Sequence, residues 1–298
     1  MKYDSFASLH PIVNFTYFTA VLVFSMFFMH PIFQLISLIS AITYSIIIKG
    51  VRKGVKFNIV YMLPMLIFMS ILNPLFNHEG VTILFYFKDG NPVTLESIIY
   101  GIAAATMFIT VIIWFSSYNS VMTSEKVMYL FGKIIPSLSL VFSMVLRFVP
   151  RYVEQIKVIS NAQKCIGRDA SQGNIFRRAK NGIKILSIMI TWALENAIET
   201  ADSMRSRGYG LPGRTSFSLF RFDNRDKVVF SIIVILISII LLGAFKGVNT
   251  IKFFPSIKIT EITGFSILVY ISYFVLCIIP VIINVQEAIQ WRYIESRI

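Results

Sequence analysis

Two short segments could bind an acidic partner through basic side chains held at helix ends. The first is Cys165-Ile166-Gly167, flanked by Lys164 and Arg168, and the second is Ser206-Arg207-Gly208. Each has a small residue two places before a glycine, with basic residues beside it. Glycine accepts the left-handed backbone that ends many helices, and a guanidinium group can bind a carboxylate through two parallel hydrogen bonds. The spacing predicts two helix ends that present cations.

A purely structural role also explains each segment. Lys and Arg in the last turn of a helix complement the negative end of its dipole, an effect of about 0.3–1 kcal/mol at an exposed end. One such ending is ordinary helix termination. Two in tandem within one basic segment favour a binding role, although the residues alone leave both interpretations open.

The remaining reactive side chains do not suggest an enzyme, a cofactor or a metal site. Glu195, Glu199 and Asp202 share one helical face, but no nucleophile or histidine accompanies them, so a solvated face is the simpler interpretation. The histidines and cysteines lack the spacing of metal ligands or a disulfide framework: His10, His30, His78, Cys165 and Cys277.

Two long helices are predicted to carry the basic ends. Pro136 is expected to open the first, Pro150 to kink or break it, and a cluster of glycine and proline to stop the second. Each helix has a narrow polar stripe on an otherwise apolar surface, which suits a helix at a membrane surface or under other helices. The stripes are Ser139, Ser143, Arg147, Arg151 and Gln155, then Lys184, Ser187, Thr191, Glu195, Glu199 and Asp202; the stop is Gly208, Gly210, Pro212 and Gly213.

The composition places the rest of the chain in a membrane. Hydrophobic residues make up 56% of the sequence and charged residues 14%, against about 25% charged in soluble domains. Six stretches without Asp, Glu, Lys or Arg are long enough, or nearly so, to cross about 30 Å of hydrocarbon. They are Ile12–Met29, Ile32–Ile48, Phe57–Phe76, Ser97–Ser117, Val228–Phe245 and Gly264–Asn284. The expected fold is an all-α integral membrane protein with about six transmembrane helices and long cytoplasmic helices.

The distribution of charge predicts the topology. The net charge is +13, and residues 118–228 hold 17 of the 28 Lys and Arg, which indicates a cytoplasmic segment under the positive-inside rule rather than a nucleic-acid site. A basic loop at Lys49, Arg52, Lys53 and Lys56 is also expected inside, with both termini. Outer loops are expected at 77–96, with a turn at 88–92, and at 246–263, although three lysines there oppose the rule: Lys246, Lys252 and Lys258.

Three regions follow from this topology. Residues 1–117 form an N-terminal membrane region of four spans, 118–228 a cytoplasmic helical region, and 229–298 a C-terminal membrane region of two spans. The spans lack the ionisable groups that a secondary transporter or pump uses. The sequence also lacks a phosphate-binding loop. Energy for any transport would therefore come from a separate polypeptide.

Several motifs resemble the transmembrane T components of energy-coupling factor transporters, the group that includes CbiQ-type subunits. They are LRFVPRYVEQ at Leu146–Gln155 followed by NAQKCIG, ETADSMRSRGYG at Glu199–Gly210, and GRTSF at Gly213–Phe217. The resemblance implies a non-catalytic scaffold in a bacterial plasma membrane. In that family two Ala-Arg-Gly motifs end long coupling helices and dock into grooves of two ATP-binding-cassette ATPases. A separate membrane S component binds the vitamin or metal ion.

The resemblance assigns the two motifs to the two basic segments. Ser206-Arg207-Gly208 matches the second motif with serine in place of alanine, whereas Cys165-Ile166-Gly167 has isoleucine where the arginine should stand. Lys164 or Arg168, which flank the same turn, would then supply the charge. Two other classes remain open: a conventional importer permease that lines its own substrate path, and a membrane enzyme acting on lipids.

Overall fold

The computed structural model separates the chain into two compact units. We call Met1–Lys126 with Phe220–Ile298 the membrane unit, and Val127–Leu219 the basic unit. The structure describes residues 4–86, 91–132, 135–168, 171, 173–209, 211, 220–259 and 262–295, without the side chains of 136–139.

Helices make up almost all of the membrane unit. They are α1 (Pro11–Phe27), α2 (Pro31–Lys49), α3 (Val51–Phe57), α4 (Leu63–Phe76), α5 (Leu95–Val121), α9 (Asn224–Phe245) and α10 (Gly264–Glu295), with α6 (Ser124–Gly132) beginning at its border. A π-helical turn, Asn58–Met62, joins α3 to α4 without a break. The predicted all-α class is therefore confirmed.

Five helical stretches in the described residues are long and apolar enough to cross a membrane: Pro31–Lys49, Val51–Phe76, Leu95–Val121, Asn224–Phe245 and Gly264–Glu295. The first predicted span, Ile12–Met29, corresponds to α1, a shorter apolar helix of 17 residues. At 1.5 Å per residue that helix is about 25 Å long.

The basic loop predicted between the second and third spans is wrong in its extent. Gly50, with φ of 81°, makes the turn alone, and α3 begins at Val51. Arg52, Lys53 and Lys56 therefore lie on a helix. Only glycine adopts this conformation without a Cβ clash, so a single residue can replace a loop.

Short hairpins occupy both predicted outer loops. Strands β1 (Ile83–Tyr86) and β2 (Pro92–Thr94) pair antiparallel, with Ile83 opposite Thr94. Strands β3 (Ile251–Lys252) and β4 (Lys258–Ile259) pair in the same way. No strand was predicted in either loop, and residues 88–90 of the expected turn lie outside the described residues.

Buried aromatic side chains and interhelical hydrogen bonds hold the membrane helices together. Trp114 on α5 donates from Nε1 to Ser37 Oγ on α2 at 3.0 Å. Tyr17 on α1 donates from its hydroxyl to the carbonyl oxygen of Cys277 on α10, also at 3.0 Å. In a bilayer such bonds and close packing replace the hydrophobic effect as the force between helices.

The basic unit contains the two long helices that the polar stripes predict. Helix α7 runs over Pro136–Cys165 and α8 over Ile175–Ser206. Pro136 opens α7, as expected. A kink or break was predicted at Pro150, and α7 continues through it without a break. Proline removes one backbone donor, and the bonded turns on either side keep the helix continuous.

Candidate functional site

The C-terminal end of α7 has a complete glycine cap. Gly167 has a φ of 73°, and its N–H donates to the carbonyl oxygen of Lys164 at 3.0 Å. The next N–H, of Arg168, donates to the carbonyl oxygen of Gln163 at 2.9 Å. This pair of bonds defines a Schellman motif, in which a left-handed residue satisfies the last helical carbonyls.

The end of α8 repeats this geometry. Gly208 has a φ of 77°, and its N–H donates to the carbonyl oxygen of Arg205 at 3.0 Å. The N–H of Tyr209 donates to the carbonyl oxygen of Met204 at 3.0 Å. Ser206 also donates from its hydroxyl to the carbonyl oxygen of Ser203 at 2.9 Å. The two helices thus stop in the same way.

Matching caps put Ile166 and Arg207 in equivalent positions. Each is the last residue before the left-handed glycine, with φ and ψ of −97° and 18° at Ile166 and −85° and 11° at Arg207. The structure therefore pairs Gly167 with Gly208 and Cys165 with Ser206. An isoleucine side chain, 60% exposed, stands on α7 where α8 presents a guanidinium group.

The basic side chains at both ends reach the surface of the basic unit. Lys164, Arg168, Arg205 and Arg207 are all exposed. The side chain of Arg207 makes no hydrogen bond or ion pair with any residue that the structure describes. Guanidinium groups held on a rigid helix end lose little freedom when they bind a planar carboxylate.

A small apolar core of their own joins α7 and α8. Ile159, Ile185 and Met189 are its buried members. The ring of Tyr152 meets Trp192 edge-on at 5.7 Å. The guanidinium carbon of Arg151, also on α7, lies 5.7 Å from the centre of the Trp192 ring. This core fixes the point at which the two helices touch.

The contact point and the connecting loop set the direction of the helices. Cys165 lies 13 residues beyond Tyr152, about 20 Å, and Ile175 lies 17 residues before Trp192, about 25 Å. Parallel helices would put these two residues about 45 Å apart, whereas the connection between them reaches at most about 35 Å. The helices therefore run in opposite directions.

Opposite directions separate the two capped ends. Ser206 lies 14 residues beyond Trp192, about 21 Å along α8, on the side of the contact away from Cys165. The two ends are thus about 40 Å apart along the helix axes. The structure does not bring the candidate residues into one site; it forms two.

The side chains of the polar stripes that the structure describes are exposed, except for the half-buried Gln155. Each helix also has an apolar face that no residue in the described part of the chain covers. On α8 this face lies opposite the buried Ile185 and Met189. Its members recur at helical spacing: Ile183, Leu186, Ile190, Leu194 and Ile198 on α8, and Phe142, Val145, Leu146, Val149, Val153 and Ile156 on α7. Two apolar faces on one helix indicate two different packing partners.

Some residues predicted to matter lie outside the described residues. These are Gly210, Pro212, the GRTSF segment at 213–217 and the side chain of Ser139. The carboxylates Glu195 and Glu199 lie on the exposed stripe. Within the described ranges, no group of three or more His, Cys, Asp or Glu side chains could hold a metal ion.

Comparison with known proteins identifies the family. The family model CbiQ, described as a cobalt transport protein, matches residues 4–219. An energy-coupling factor transporter transmembrane protein EcfT from Lactobacillus helveticus is 30% identical over 213 residues, which cover 66% of this chain and 75% of the relative. The EcfT protein of Lactococcus lactis is 30% identical over 218 residues, covering 68% and 77%. The chain therefore belongs to the CbiQ family and is related to the energy-coupling factor transporter transmembrane proteins.

Proposed function

We propose that this transmembrane component of an energy-coupling factor transporter transmits ATP-driven motion from two soluble ATPases to a membrane subunit that binds a vitamin or metal ion. The observation that carries the proposal is the pair of identically capped, cation-bearing helix ends. Ends about 40 Å apart offer one attachment point to each of two partners. When nucleotide closes the ATPases together, the anchored helices move with them.

Arg207 is the anchor at the α8 end. It occupies the last position before the left-handed Gly208, so its guanidinium group extends from a fixed backbone. An acidic groove on an ATPase would bind this group bidentately. In this proposal the glycine cap orients the backbone at Arg207, and the guanidinium group of Arg207 contacts the ATPase.

At the α7 end the charge comes from the residues that flank the cap, because Ile166 has none. We expect Lys164→Ala combined with Arg168→Ala to weaken attachment of one ATPase at least about tenfold, the loss of roughly one charged hydrogen bond. Binding of purified ATPases to the chain in nanodiscs measures this. The double change Lys157→Ala with Arg177→Ala removes equal charge from the same unit and should leave binding intact. Unchanged binding in the first variant would remove both residues from the site.

The apolar faces of α7 and α8 that no described residue covers are the proposed binding surface for the substrate-binding membrane subunit. Their aliphatic side chains recur along several helical turns, long enough to meet a helix of a neighbouring protein. Such a contact depends on shape and apolar area, so one scaffold can accept different substrate-binding subunits.

The proposal places the basic unit and both termini in the cytoplasm of a bacterial cell. The charge supports this orientation, because 17 of the 28 Lys and Arg fall in residues 118–228 and basic loops remain inside. The ATPases, which need cytoplasmic ATP, would then meet the exposed helix ends.

Affinity purification from native membranes tests the proposal. We expect the chain to bring with it two ATP-binding-cassette ATPases and a small membrane protein, all identified by mass spectrometry. Tight binding of a vitamin or metal ion by the chain alone would contradict it. That result would instead indicate a permease that lines its own substrate path.

A further inference from the structure

Four of the seven residues before α1 are buried. Phe6 is 0% exposed, and Ser5, Leu9 and His10 are also buried. The ring of Phe6 packs edge-on against Tyr17 at 5.0 Å and Tyr44 at 6.2 Å. We call Asp4–His10 the N-terminal clasp. These buried residues and ring contacts show that the clasp packs into the membrane unit.

Two membrane helices hold one end of the clasp through Asp4. Tyr44 on α2 donates from its hydroxyl to Asp4 Oδ2 at 3.0 Å. Asn284 on α10 donates from Nδ2 to Asp4 Oδ1 at 2.8 Å, and its Oδ1 accepts the N–H of Ser5 at 2.8 Å. The clasp therefore ties α2 to α10.

The chain leaves the membrane unit at the clasp. Lys126 is the last residue of that unit before the basic unit, and its Nζ donates to the carbonyl oxygen of Ala7. Lys126 is only 7% exposed. Burial lowers the pKa of Lys126, and the nearby Asp4 carboxylate acts in the opposite direction. A buried ammonium group is costly without such an acceptor, so this contact resists separation.

The chain also returns at the clasp. Phe220 is the first residue of the membrane unit after the basic unit. The His10 ring lies edge-on to Phe222 at 4.9 Å and to Phe220 at 6.5 Å. The backbone N–H of His10 donates to Oδ1 of the buried Asp226 at 3.1 Å. The other carboxylate oxygen, Oδ2, accepts the backbone N–H of Asp223 at 3.1 Å.

We infer that the clasp is the joint through which motion of the basic unit enters the membrane helices, with Lys126 and Asp226 as its positioning residues. Both connections to the basic unit are fixed to the same seven residues, and these are bonded to α2 and α10. Displacement of either connection therefore acts on the same seven residues and, through them, on α2 and α10. These contacts alone support the claim that the clasp behaves as one cooperative unit. Its role in transmitting motion from the basic unit rests on the proposed function.

The first test uses the full chain alone in detergent. Lys126→Met removes the donor with little change in length, and we expect amide hydrogen exchange to rise about tenfold in α6, the clasp and also residues 222–226, which Lys126 does not touch. Lys126→Arg, which keeps a donor, should restore protection. Lys53→Met changes an exposed lysine of the same unit and should leave exchange unaltered. A rise confined to α6 would show that the two connections are independent and would overturn the joint.

The second test uses the complex purified with its ATPases. In the original chain, addition of ATP with vanadate should change amide hydrogen exchange in α2 near Tyr44 and in α10 near Asn284, where these helices contact the clasp. In Lys126→Met and Asp226→Asn, the change should remain within the basic unit. An equal response of α2 and α10 in these variants would overturn transmission through the clasp. Failure of any ATPase to co-purify with the original chain would instead refute the proposed function, while the first test still decides the clasp.

Discussion

Replacing Arg207 by glutamate should abolish co-purification of at least one ATPase while the protein remains in the membrane fraction. The side chain is exposed and unpaired within the described chain, so the substitution breaks no internal bond. It reverses the charge offered to an acidic groove, where like charges repel strongly. Immunodetection of the ATPases after purification through a tag on this chain measures the effect.

The control for this prediction is Arg177→Glu. Arg177 is an exposed arginine near the N-terminal end of the same helix, so the charge change is identical and the position is not. A negative charge there also suits the helix dipole. ATPase recovery should stay normal with Arg177→Glu. Recovery of a complete, active complex with Arg207→Glu would refute the anchoring role.

Replacing Trp192 by alanine should separate α7 from α8. Trp192 packs against Tyr152 and lies beside Arg151 in a small core, whose buried members among the described residues are Ile159, Ile185 and Met189. Replacing a fully buried tryptophan by alanine lowers the free energy of unfolding by about 3–5 kcal/mol. Trp192 is half-buried, so we expect a loss of about 2–3 kcal/mol. The loss of stability is measured by heating the protein in detergent and monitoring protease cleavage within the basic unit.

Trp291→Ala is the matched control because that side chain on α10 is 59% exposed. It should leave the stability of the basic unit unchanged. If both tryptophan variants unfolded at the same temperature as the original chain, the contact between α7 and α8 would not hold the helix ends in place. The proposed separation of the two ends would then lose its basis.

Local patterns predicted the elements of the candidate site well. Proline at the start of a helix and glycine after its end act within a few residues, so Pro136 indicated where α7 begins, and Gly167 and Gly208 indicated where α7 and α8 end. The predicted alternative of a break at Pro150 did not occur, because the helical turns on both sides of it outweigh one missing hydrogen bond. The docking role of Arg207 stays a prediction, since it depends on a second protein.

Long-range contacts left no comparable signal. Ser5 and Asn284 are 279 positions apart in the chain, and nothing near either residue indicates the other. Asp4, Lys126 and Asp226 lie at the ends of apolar stretches, where charged residues are ordinary. Lys126 and Asp226 are buried because helices distant in the chain pack around the clasp, and no periodic pattern in the sequence records that packing.

The isoleucine at position 166 makes the two ends unequal. An arginine at the cap position has a fixed origin for its charge, whereas Lys164 and Arg168 must reach around a neutral side chain. Attachment at α8 should therefore outlast attachment at α7. When ATPases are scarce, half-loaded assemblies carrying one ATPase on the Arg207 side should accumulate, and disassembly should begin from the opposite side.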